Sequence, residues 1–88
     1  MRVITVVPGR VREARVKASL PSRPGERMYV RVVRGGRVEA VALLVRERDL
    51  LGWEGWAFRG KWLPGRRLPR WAAEAFSLGA WPGAPAES

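Results

Sequence analysis

A Gly-Gly pair at positions 35 and 36 separates two runs of β-forming residues, and no other feature constrains the chain as strongly. Met28 to Arg34 and Arg37 to Arg48 are rich in Val, Leu and Ala, and paired glycines supply the positive φ angles of a two-residue hairpin turn. The turn sets an expected register, with Val33 opposite Val38, Arg31 opposite Ala40 and Tyr29 opposite Ala42. One face then collects Tyr29, Val33, Val38, Ala40, Ala42 and Leu44, together with Arg31. The other collects Met28, Val30, Val32, Val41, Leu43 and Val45, together with Glu39. The second is the better core face, and Glu39 on it has Arg34 or Arg37 within reach near the hairpin tip. The first is semi-apolar and calls for a cover: a helix, a second sheet or another subunit.

The remaining segments arrange themselves around this hairpin. Met1 to Val7 is rich in β-branched residues and reads as a strand, ended by Pro8-Gly9. Arg10 to Leu20 reads as another: Ala14, Val16, Ala18 and Leu20 alternate with Arg15, Lys17 and Ser19, with a bulge near Arg12-Glu13. Pro21 to Glu26 is a loop. The aromatic segment from Gly52 to Leu63 reads as a short second hairpin turning at Arg59-Gly60. That places Trp56, Phe58 and Leu63 on one side and Trp53, Ala57 and Trp62 on the other. Pro69 fits the first turn of a helix over about 69–78, with Trp71, Ala72, Ala75 and Leu78 at helical spacing and Gly79 at its end. Residues 80–88, with Pro82 and Pro85, read as a mobile tail.

Strands first and one helix last make this an α+β domain dominated by β structure. The expected form is a curved antiparallel sheet or small partly open barrel, closed by the C-terminal helix. At 88 residues the chain is one domain, residues 1–79, with a thin core. No apolar run approaches the roughly 18 residues of a membrane span, and the N-terminal run is too short for a signal-peptide core. The expectation is a soluble cytoplasmic protein with no membrane partner.

His, Cys, Asn and Gln are all absent. The usual transition-metal ligands, the neutral-pH base and the thiolate nucleophile go with the first two. The side-chain amides that read adenine or build an oxyanion hole go with the others. No phosphate-binding glycine loop or nucleophile elbow is present. Glu47 and Asp49 would share a strand face, but no third acid is near enough in sequence to complete a metal site. The expectation is a non-enzymatic protein with no metal and no cofactor.

Lys and Arg number 17 against 8 acids, a net charge of +9, and only Lys17 and Lys61 are lysine. Arginine excess with missing amides fits a GC-rich, thermophile-like composition, but thermophiles add Glu alongside their cations. The acid deficit therefore points to a polyanion. Arg15 and Lys17, then Arg31, Arg34 and Arg37, then Arg59, Lys61, Arg66 and Arg67 are the candidate phosphate contacts. Trp53 and Trp62 are the candidate platforms for base stacking. Trp56, Trp71 and Phe76 are expected in the core. This combination points to a module for single-stranded nucleic acid or structured RNA. The alternative is an assembly subunit, a homodimer formed through the semi-apolar sheet face with Trp53 and Trp62 as interface residues.

Overall fold

A computed structural model of the chain describes residues 2–7, 22–79 and 81–83. The expected strand over Arg10 to Leu20, with Arg15 and Lys17, lies outside the described residues. The elements are β1 (Arg2–Val6), β2 (Arg27–Arg34), β3 (Arg37–Arg48), β4 (Glu54–Trp62) and the helix α1 (Arg70–Phe76). The strands form one sheet in the order β1-β2-β3-β4. The β2–β3 and β3–β4 pairs are antiparallel, as expected, while β1 enters parallel to β2 and makes the sheet mixed. Among the described residues the sheet is open, with β1 and β4 at its edges.

Gly35 and Gly36 make the β2–β3 turn with φ of 58° and 75°, the left-handed pair that glycine adopts without strain. Val33 faces Val38 as expected, but the register then slips. Val32 pairs with Ala40, so Glu39 is an extra residue on β3, a β-bulge. One added residue inverts the faces of everything beyond it. Tyr29 therefore faces Leu43 rather than Ala42, and Arg31 faces Val41 rather than Ala40. The bulged Glu39 puts its carboxylate 3.3 Å from Arg34 Nε.

This slip decides where the core lies. The face expected to be semi-apolar gains Val41 and Leu43 and becomes the helix-covered side. Its core is Tyr29, Val38, Val41, Leu43 and Trp62 from the sheet, Ala72 and Ala75 from α1, and Trp81. The surface expected to serve as a dimer interface thus loses Tyr29, Val33 and Val38 to the interior. Ala40, Ala42 and Leu44 turn to the opposite face with Val30 and Val32.

α1 follows Pro69, whose extended backbone caps it, and closes at Ser77. It spans two turns, too short to persist alone, so the burial of Ala72 and Ala75 on the sheet holds it in place. An edge-to-face chain of rings joins helix to sheet. Trp62 and Phe76 have centroids 5.4 Å apart at 84°, and Phe76 and Trp81 are 4.9 Å apart at 62°. Trp81, which the sequence places in the tail, is thus part of the core, and the Pro82 carbonyl accepts a hydrogen bond from Val38 N–H at 2.8 Å.

Tyr29 is fully buried, yet its hydroxyl has no hydrogen-bond partner among the described residues. An unsatisfied buried hydroxyl costs about 1–3 kcal/mol. Tyr29→Phe is expected to stabilise the fold by about 1 kcal/mol, raising Tm by roughly 5 °C in a domain of this size. A thermal melt that fell instead would mean the hydroxyl is bonded in solution.

Candidate nucleic-acid interface

β4 is one continuous strand, not a hairpin. Leu43 pairs with Gly60 and Leu44 with Phe58, so Arg59 is a second bulge where the sequence pointed to a turn. The strand is nine residues long. Trp53, just before it, and Trp62, at its end, are therefore roughly 25–30 Å apart at about 3.3 Å per residue.

The expected pairing of Trp53 with Trp62 as stacking platforms does not form. Trp62 is only 6% exposed, packed on Phe76, and its indole N–H donates to the Arg66 carbonyl at 3.2 Å. A ring covered on both sides cannot receive a base. Trp53 is 53% exposed at the other end, lying over Gly55.

The expected cations divide in the same way. Arg31 lies on the helix side: its Nε donates to Thr5 Oγ1 at 2.6 Å and its guanidinium sits 4.8 Å from the Trp81 ring centre. Arg34 is held by Glu39, and Arg37 lies against Gly83. Arg59 is ion-paired with Glu47. Arg31, Arg34 and Arg59 are thus engaged within the fold, while Arg37 is exposed and has no acid partner among the described residues. Lys61, Arg66 and Arg67 are exposed and have no acid partner among the described residues. They follow one another at the end of β4 and in the loop to α1.

Glu47 and Asp49, the carboxylates weighed as a metal pair, have separate structural partners. Glu47 meets Arg59, while Asp49 Oδ1 accepts the N–H groups of Leu51 and Trp53 at 2.9 and 2.8 Å. No group of three metal-binding side chains occurs among the described residues. No helix among them is long and apolar enough to cross a membrane.

A second aromatic pair lies on the sheet face away from α1. Trp56 pairs with Arg46, and Phe58 with Leu44, which puts both rings on that side. Trp56 was expected in the core. It is instead half-buried on that face, where Ile4 and Met28 are also buried, with the guanidinium carbons of Arg2 and Arg46 at 5.5 and 5.8 Å from its ring centre. Arg2 is also clamped by Glu26, at 2.9 Å. The backbone N–H of Arg23, with Arg2 beside it, holds the Glu26 carboxyl below the usual range for Glu, so the clamp stays charged near neutral pH. Phe58 is 61% exposed. Lys61, opposite Ala42, belongs to the same face. Alternation along the strand already grouped Trp56 with Phe58. What hid the pair was the general tendency of tryptophan to fill a small core.

No family model, curated protein or solved structure matches this chain.

Proposed function

We propose that the domain is a binding module for single-stranded nucleic acid, or for the unpaired part of a structured RNA, using the sheet face opposite α1. The observation that carries this reading is the exposed ring of Phe58 beside Trp56, on a strand that carries Lys61 next to its last residue and leads to Arg66 and Arg67. Phe58 and Trp56 offer π-faces for bases, and each stacked base contributes about 1–3 kcal/mol. Lys61, Arg66 and Arg67 would hold phosphates, the arginines by two-pronged hydrogen bonds. The absent amides favour recognition of backbone and shape over sequence.

The test is binding of labelled single-stranded RNA, single-stranded DNA and duplex DNA across a salt series. Three neutralised phosphates give a log–log salt slope of about −2 on a single strand. Phe58→Ala is expected to weaken binding about tenfold, with Trp56 fluorescence quenched on binding in the parent protein. A salt-insensitive interaction, or one indifferent to Phe58, would remove the reading.

The same face supports the assembly-subunit alternative, since Val30, Val32, Ala42 and Leu44 are only half-buried around Phe58. Sedimentation separates the two. An interface predicts a dimer that Phe58→Ala dissociates, without nucleic acid present.

A further inference from the structure

We propose that the Phe58 site prefers guanine to adenine, with the Lys61 ammonium donating to O6 and N7 of a guanine stacked on the Phe58 ring. The proposal rests on the nucleic-acid reading above and gives that site a preference at one base.

Phe58 and Lys61 are neighbours on one face of the sheet. Phe58 lies opposite Leu44 and Lys61 opposite Ala42, so their rows are about 7 Å apart at the usual strand rise. In an even strand, residues three apart face opposite ways; the bulge at Arg59 brings these two to the same side. Phe58 is 61% exposed and Lys61 is exposed. A base lying on the Phe58 ring therefore has one edge within reach of the flexible four-carbon stem of Lys61.

The chemistry around that ring is one-sided. A cation that donates to O6 and N7 selects guanine, an amide that both donates and accepts selects adenine, and a carboxylate that accepts from N4 selects cytosine. The chain has no amide side chain. The carboxylates at the rims of this face are already engaged. Glu26 meets Arg2 at 2.9 Å and Glu39 meets Arg34 at 3.3 Å. Glu54 meets both Arg46 and Arg48, at 3.4 and 3.3 Å. Between them Val30, Val32, Ala42 and Leu44 offer aliphatic side chains alone. Backbone carbonyls lie in the plane of the sheet and do not point up at a stacked base.

What stands beside Phe58 is thus a donor without an acceptor. Arg46, on one flank, is committed to Glu54 and the Trp56 ring. Lys61, on the other, has no acid partner among the described residues. Its ammonium carries three N–H donors and accepts nothing. Guanine presents two adjacent acceptors on one edge. Adenine sets its N6 amino group beside N7 and would turn a donor toward a donor.

The test uses the full chain and single-stranded oligouridylates that carry one central purine nucleoside: guanosine, adenosine, inosine or 7-deazaguanosine. Affinities are compared at one salt concentration. Guanosine is expected to bind about fivefold tighter than adenosine. Inosine keeps O6 and N7 and should match guanosine. The 7-deaza analogue lacks N7 and should fall toward adenosine. Lys61→Ala should bind guanosine and adenosine alike while keeping the parent's melting temperature. Equal or tighter binding of adenosine by the parent, or a guanosine preference that survives in Lys61→Ala, overturns this inference. The Phe58 site itself would then stand, provided Phe58→Ala still weakens binding. Failure to bind any of the four oligonucleotides, or binding indifferent to Phe58, overturns both.

Discussion

Trp81→Ala is expected to destabilise the domain by about 3–5 kcal/mol, the usual consequence of removing a large buried ring. Trp81 is 7% exposed, lies against Phe76 and carries the Arg31 guanidinium on its face. Arg31 is tied in turn to Thr5 on β1, so the ring lies where the C-terminal segment, the helix and the first two strands meet. Total stability of a domain this size is of the order of 5–15 kcal/mol, so the loss is a large share of it. Urea unfolding followed by circular dichroism should show the midpoint fall, with Tm lower by roughly 20 °C. A chain ended after Ala80 should lose at least as much, since it also removes the Pro82 carbonyl that accepts from Val38. Trp81→Phe keeps an aromatic face for Arg31 and should lose less. If the truncated chain melted like the parent, the C-terminal segment would be a tail after all.

Trp81 illustrates what the sequence could not disclose. Prolines at 82 and 85 and the small residues around them carry the signature of a tail, and nothing local reports that one ring reaches back across the sheet. The elements with local signals were legible. Gly35-Gly36 marked the hairpin, Pro69 marked the helix start, and alternation put Trp56 beside Phe58. The two bulges had no such mark. Glu39 reads as a lone polar residue on the better core face, within reach of Arg34 or Arg37, yet its insertion exchanged Val41 and Leu43 for Ala40 and Ala42 on the face that carries Tyr29. The exchange is favourable because it gathers the larger side chains of both strands beneath α1. That is a tertiary preference, and local spacing does not contain it. Arg59 read as a turn because Gly60 follows it, but the glycine serves the helix.

The placement of several candidate residues differs from the expectation for a related reason. Charge and aromatic content were visible as totals, but the acids that neutralise particular arginines come from distant parts of the chain. Glu47 meets Arg59 and Glu74 meets Arg27 across elements. Once these pairs form, the exposed candidate contacts without an acid partner among the described residues are Arg37, Lys61, Arg66 and Arg67. Reading Trp62 as half of a stacking pair failed because the bulge at Arg59 and the length of β4 carry it under the helix, far from Trp53.

Gly60 gives the sharpest test of that arrangement. A Cβ placed there would lie 2.9 Å from Trp71 Cζ2, 3.0 Å from Cε2 and 3.1 Å from Nε1. The indole of α1 therefore rests directly on the strand backbone, and only a residue without a side chain lets the helix approach. Gly60→Val is expected to destabilise the fold by on the order of 3 kcal/mol, through overpacking that pushes α1 off the sheet. Valine is favoured over glycine in strands, so without the helix contact the same change would be neutral or stabilising, and the sign of the effect identifies the cause. Gly55→Ala is the control. Its Cβ would meet the Trp53 ring still more closely, at 2.4 Å from Cζ2. Trp53 is half in solvent, however, and its ring can swing aside at little expense. That variant should keep its urea midpoint within about 0.5 kcal/mol and change only the fluorescence of Trp53. Equal losses at both glycines would mean that Trp53 is held as firmly as Trp71. A stabilised Gly60→Val would mean that α1 does not lie on β4.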